Sequence, residues 1–222
     1  MTTLGPGDHT RVRRLPEKAR YDADTIEAII DAAPFCHVAA TVNGVAMALP
    51  TLHLRDGDTL YVHANKSNAL LRAALDLGEA AVTMTLYDGI RLARSGFESS
   101  IAYRSVMLVG PTREVVEPEE RRRILNGFVD AVVPGRSSEV RPMTEREERL
   151  TLLVAITIRE ASAKVSAGPT DDDADDAALP VWAGVIPART VYGEPVANTD
   201  GAMASGALPV PPSVQRFLEN DE

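Results

Sequence analysis

Residues 60–71, LYVHANKSNALL, decide how this chain is read. Leu60, Tyr61 and Val62 have strand character, His63, Ala64, Asn65, Lys66 and Ser67 form a polar turn, and residues 68–77 place apolar side chains at helical spacing. A short strand therefore feeds a helix through HANKS. A helix start offers unpaired N–H groups and the positive end of its dipole, and His63, Lys66 and Ser67 gather beside it, which suits a phosphate monoester. The competing interpretation is an ordinary N-cap with a solvated lysine. HANKS is not a Walker loop, and no Gly-x-Gly-x-x-Gly occurs in the chain, so the nucleotide class stays open.

Upstream, residues 22–33 predict a first helix, with Asp22 or Asp24 as cap, Ile26, Ile29 and Ile30 on one face, and Pro34 as its stop. The apolar period then changes to two. Residues 35–42, 45–54 and 59–63 read as strands joined by hairpin turns at Asn43-Gly44 and Asp56-Gly57. Downstream, Gly78 caps the second helix and residues 80–86 alternate as a fourth strand that ends in a turn at Asp88-Gly89. Residues 101–116 predict a strand bent at Gly110-Pro111, residues 118–132 a helix with Ile124, Leu125 and Phe128 inward, and residues 150–158 (LTLLVAITI) the last strand. The fold class is mainly β with α decoration: a small barrel of about six antiparallel strands, since closing a sheet removes its exposed edges.

The 222 residues, with 45% hydrophobic side chains, suit one compact unit. A net charge of −9 and a pI near 5.0 argue against nucleic acid or an anionic membrane as partner, so any anion site is local. The single cysteine, Cys36, lies in an apolar run and excludes disulfides within the chain and four-cysteine zinc sites. No signal-peptide core and no apolar run of membrane-spanning length is present, so a soluble cytoplasmic protein is expected.

Three regions follow: a basic arm at 1–20, the barrel at 21–166, and a loop and tail at 167–222 that packs on the barrel or on a partner subunit. In the tail, GPTDDDADDAALP reads as a surface loop. A divalent metal on residues 171–176 is the alternative, but the glycine and closing glutamate of a calcium loop are missing. Beyond it, VWAGVIP holds Trp182, either a packing anchor or a lid over an aromatic ligand. Residues 193–210 read as flexible, and residues 211–222 as a short helix around Val214, Phe217 and Leu218.

Taken in order, RYD at 20–22, ALPTLHL at 48–54, LYVHANKSN at 60–68, DGIRLARSGF at 88–97, YRSVMLVG at 103–110, PGR at 134–136, SAKV at 162–165 and VWAGVIP at 181–187 resemble one family. It is the pyridoxamine 5'-phosphate oxidase-like split-barrel flavoproteins, in the flavin-nucleotide-binding branch with nitroimidazole-resistance reductases. The resemblance implies a Greek-key split-barrel homodimer with FMN in each of two interface clefts. In those terms the strand from Pro50 to His53 lies against the isoalloxazine, with Leu49 and Thr51 among the cofactor-binding residues, the turn from His63 to Ser67 holds the phosphate, and Tyr103, Arg104 and Ser105 come from a neighbouring strand. Arg94 and Trp182 complete the implied cofactor set.

A reduced flavin is negative near N1 and O2 and its phosphate is dianionic, so Lys66, Arg104 and Arg94 are the cations of choice. Arg104 could instead pair with Glu98 or Glu114 on the surface. The chain departs from the family after Phe97, where Glu98 and Ile101 stand in place of a histidine and an asparagine, and after PGR, where Ser137 and Ser138 replace an aromatic. The expected activity is FMN-dependent oxidation and reduction of a small molecule. Pyridoxamine phosphate oxidation fits less well, because it needs a second phosphate site. Deazaflavin cofactors remain open, a flavin carrier or sensor without turnover is one alternative, and haem binding through His37, His53 or His63 is another.

Overall fold

The computed structural model describes residues 6–170, 172–198 and 208–219. In chain order its elements are β1 (Ala19–Arg20), α1 (Ala23–Ala32), β2 (Cys36–Val42), β3 (Val45–Thr51), β4 (His53–Asp56), β5 (Thr59–Asn65) and α2 (Ala69–Leu77). They continue with β6 (Glu79–Leu92), β7 (Ser100–Glu114), α3 (Pro118–Val132), α4 (Glu145–Leu150), β8 (Thr151–Thr157), β9 (Glu160–Ser166), β10 (Gly184–Pro187) and α5 (Pro212–Glu219). The strands pair antiparallel in the order β3-β2-β6-β7-β8-β5-β4, with β9 beside β7 and β10 beside β6. The split-barrel class is as the sequence predicts, with more strands than the six expected.

β7 is the spine. Its first half, from Tyr103 to Val109, pairs with β9, and its end, from Thr112 to Glu114, pairs with β8. The change of partner falls at Gly110, where a Cβ would sit on the Thr157 carbonyl oxygen, so only glycine lets the β8–β9 corner pass this close.

Two apolar layers result. Inside the barrel, Ile26, Ile29 and Ile30 of α1 and Leu70, Leu71 and Ala74 of α2 pack on Val38, Leu60, Val62, Val82, Leu108, Leu152 and Ile156. On the outer face, Tyr61, Leu153 and Ala155 pack beneath Ile124, Leu125 and Phe128 of α3. β5 and β8 are thus buried on both sides, which is why LTLLVAITI is a continuous apolar run rather than an alternating one.

Local signals that the sequence carries act as expected. Asp22 caps α1 through Thr25 N–H, Asn68 caps α2 through Leu71 N–H, and Gly78 ends α2 in the left-handed conformation. Asn43 and Gly44, both at positive φ, make the tight β2–β3 hairpin. Three expectations fail. Asp88-Gly89 is not a turn: β6 runs through it with a register shift between Tyr87 and Gly89, because β10 supplies a second neighbour. The strand expected over 45–54 breaks at Leu52 into β3 and β4. β9, β10 and α4 also lie where no element was predicted. In the tail α5 covers most of the helix expected over 211–222, while residues 199–207 of the stretch read as flexible lie outside the described residues.

Candidate functional site

The HANKS turn forms as predicted, and much of its donor capacity is used internally. Asn65 Oδ1 accepts from the Ser67 N–H (3.0 Å) and the Ser67 hydroxyl (2.8 Å), and Asn68 Oδ1 accepts from Leu71 N–H (3.0 Å). Lys66 N–H donates to Leu150 O at 2.8 Å, tying the turn to the start of β8. The Lys66 ammonium is exposed and has no ion-pair partner among the described residues. The helix start is capped, and a free cation stands beside it.

The other candidates lie on two further walls. Leu49, Pro50 and Thr51 occupy β3, the edge strand, which is exposed along almost its whole length. Val45 and Met47 are exposed with Leu49, leaving an apolar edge open. Thr51 Oγ1 donates to His63 O at 3.4 Å, so the end of β3 and the end of β5 meet. Tyr103, Arg104 and Ser105 sit on β7 between β6 and β9, with β2 and β6 separating them from β3. Among the described residues no hydrogen bond or ion pair joins them to the turn.

The guanidinium groups are more committed than the sequence suggests. Arg104 makes a two-pronged pair with Asp88 (Nε 2.9 Å, Nη2 2.7 Å) rather than with Glu98 or Glu114. That hydrogen-bonded pair pushes Asp88 below the usual carboxylate range. Glu114 is held instead by Arg72 at 3.0 Å. Arg94 binds Asp172 through both its N–H and its guanidinium, and buried Arg91 donates to Ser166 Oγ (3.1 Å) and to Pro169 O. These contacts pin the start of the acidic loop to β6. Asp171 lies outside the described residues, and no group of metal-ligating side chains forms among those described. Trp182 is 65% exposed, its ring folded onto Gly184, so within the single chain it is not a buried packing anchor.

A feature the sequence reading missed is a cavity of about 970 Å³ outside the barrel. Its floor is one face of α3 (Leu125, Phe128, Val129, Val132), its side walls include Leu52 and Thr151, and its roof is tail segments at 195–197 and 208–211. His63 stands in its wall and also lines a second, more open pocket with Asn65, Arg141 and Glu147. The His63 ring meets Phe128 edge-on at 4.4 Å, and its Nδ1 is buried without a partner. Burial pushes the His63 pKa down, keeping the ring neutral with a lone pair available near pH 7. The one sequence signal for this cavity was a surplus: Val129 and Val132, with Val133 just past the helix end, extend the apolar stripe of α3 beyond Ile124, Leu125 and Phe128.

His53 is buried, and its Nε2 donates to Ile30 O at 2.8 Å, leaving Nδ1 without a partner. His37 is on β2 opposite Pro50 and packs edge-on to Phe35, away from this cavity. Cys36 is fully buried and its thiol is pushed up to about 12 by burial, which leaves no nucleophile at neutral pH. Among the described residues no helix is long and apolar enough to cross a membrane.

The split barrel with its strand-to-helix turn defines a class that sequence comparison makes specific. The family profile described as pyridoxamine 5'-phosphate oxidase matches residues 22–165, and the chain belongs to that family. The flavocytochrome Anf3 from Azotobacter vinelandii is 36% identical, with 96% of this chain and 97% of that one covered at a TM-score of 0.88. An FAD and heme binding protein from Mycobacterium smegmatis is 37% identical over 90% of this chain and 96% of its own, at a TM-score of 0.82. A 5-nitroimidazole antibiotic resistance protein from Bacteroides thetaiotaomicron is 21% identical over 66% of this chain and 86% of its own, and its TM-score of 0.57 speaks for the fold alone. Comparison with the curated proteins gives no match.

Proposed function

We propose that this chain is a cytoplasmic flavin-dependent oxidoreductase that works as a homodimer on a small molecule. The observation that carries the reading is the division of the candidate residues: Lys66 and its turn, the β3 edge and the β7 segment lie on separate walls of one chain. Two copies facing each other would bring such walls together and cover the apolar β3 edge. Lys66 would face the flavin phosphate, Leu49 to Thr51 the ring, and Tyr103 to Ser105 its polar edge, with Trp182 and Arg94 reaching from the β6–β10 side. When bound, the flavin supplies hydride and electron transfer; the protein orients it and sets the charge around it. FMN follows from the phosphate-sized turn, whereas the 37% identical relative is described as binding FAD. Saturation with each nucleotide followed by desalting decides between them. A loaded protein that oxidises NADH or NADPH supports the oxidoreductase reading; stable loading without turnover leaves a flavin carrier.

A second ligand is favoured by one specific observation. The apolar cavity beside the barrel is large enough for a porphyrin, and in its wall stands a neutral histidine with an orphaned ring nitrogen. His63 would be the residue to hold the haem iron, with Phe128 packed edge-on against its ring. The two relatives that span nearly the whole chain are described as a flavocytochrome and as an FAD and heme binding protein. Haem would add one-electron chemistry beside the flavin rather than replace it. A Soret band that His63→Ala abolishes while flavin stays bound supports this; a band indifferent to His63 rejects it.

A further inference from the structure

We infer that Arg136 is the specificity-determining residue of the apolar cavity, and that the ligand it selects is a flat apolar molecule bearing a carboxylate or similar acid group. The inference rests on the reading of that cavity as a ligand site. Among the described residues, only two formally charged side chains line the cavity, Arg136 and Glu139. Glu139 is already satisfied: Oε1 accepts from Ser213 N–H (3.0 Å), and Oε2 accepts from the Ser213 hydroxyl and from Arg136 Nη1 (3.1 Å). This carboxylate latches the start of α5, and with it the roof, to the body of the protein.

Arg136 is not satisfied. That single bond uses one of its five N–H donors, and its Nε and Nη2 have no partner among the described residues. A guanidinium with free donors at the edge of an otherwise apolar cavity favours an acid group on the occupant. The neighbouring Arg141 cannot take this role, since Glu147 grips it with both oxygens (2.8 and 2.6 Å).

The backbone presents Arg136 in a fixed way. Gly135, at φ +84°, turns the chain at the end of α3, and Arg136 opens a 3-10 turn, Arg136–Ser138. Asp130 on α3 holds that turn by accepting from Ser137 N–H and from its hydroxyl, both at 2.7 Å. A serine after PGR thus gives the turn a polar lock. For a porphyrin, the acid groups are its propionates.

The test uses haemin and haemin dimethyl ester, which share one macrocycle and differ in their acid groups. Both are titrated by absorbance into the full-length protein and into Arg136→Gln and Arg136→Lys, with flavin content measured in parallel. The wild type is expected to bind the diacid about tenfold more tightly than the ester, as a charge-assisted pair would give. Arg136→Gln should bind the two alike, Arg136→Lys should keep part of the preference, and flavin content should not change. An equal preference in Arg136→Gln and wild type, or no preference in the wild type, overturns the role of Arg136. Failure of both porphyrins to bind the wild type overturns the cavity reading itself, and the inference with it.

Discussion

Gly110→Ala is the substitution whose effect follows most directly from the architecture. A Cβ there would land on the Thr157 carbonyl oxygen and come within 2.8 Å of the Thr157 carbonyl carbon, both of them backbone atoms. Neither can rotate away as a side chain would. Close by, Arg159 N–H donates to Val109 O at 3.3 Å, so moving the β8–β9 corner strains the pairing of β7 with both neighbours. Overpacking in a well-packed interior costs about 1 to 3 kcal/mol, and a clash with rigid backbone belongs at the upper end or beyond. Taking about 3 kcal/mol, and about 2 to 4 °C per kcal/mol for a chain of this size, the melting temperature should fall by roughly 6 to 12 °C. Gly44→Ala is the control: it meets nothing within 4 Å, and its φ of +80° costs only about 1 kcal/mol. The assay is thermal and urea unfolding of both variants. A Gly110→Ala protein as stable as Gly44→Ala would refute the claim that β7 changes partner at a point only glycine can occupy.

Lys66→Ala should weaken flavin binding by about 1.5 to 3 kcal/mol, the range for hydrogen bonds to charged groups, and Arg104→Ala should do less because Asp88 already holds its fork; titration of the apoprotein checks the order, and an unchanged affinity in Lys66→Ala removes the turn from the site. Cys36 should resist a thiol reagent at pH 8 in the folded protein and react fully in urea; fast labelling of the native state would contradict its burial. His53 and His63 both have pKa values pushed down by burial, so the folded state disfavours their protonation. Their contribution is therefore complete above the ordinary histidine value near 6.5 and is lost as pH falls below it towards the folded value. Stability should drop as the pH falls below about 6.5, and the double variant His53→Asn, His63→Gln should show a shallower drop; an unchanged slope would count against both burials.

Much of the barrel is legible because its signals are local. Asp22, Asn68 and Gly78 mark helix ends by their own chemistry, and Asn43-Gly44 tolerates positive φ at both turn positions. Asp88-Gly89 carries the same turn signature and is nonetheless strand, because a segment almost a hundred residues later, β10, pairs with it. β9, EASAKVS, is rich in alanine and serine and has little strand propensity of its own; pairing with the spine strand overrides that. Residue types showed the phosphate-like turn, yet not that Asn65 and Asn68 take up its donors or that Asp88 and Asp172 occupy the two arginines. The cavity was least visible. Its wall is assembled from β4's leading loop, the end of β5, one face of α3 with the adjoining turn at Arg136, and the tail, so its parts are spread from Leu52 to Val214 along the sequence.

The proposed flavin, and the haem proposed beside it, are both addressed by one spectrum. The visible absorption of the protein, purified without added cofactor and again after saturation with FAD or FMN and desalting, should show flavin bands at about one per chain, as one site per protomer requires. A Soret band should accompany them and vanish in His63→Ala. A colourless protein that retains neither flavin nor haem after saturation would contradict the account.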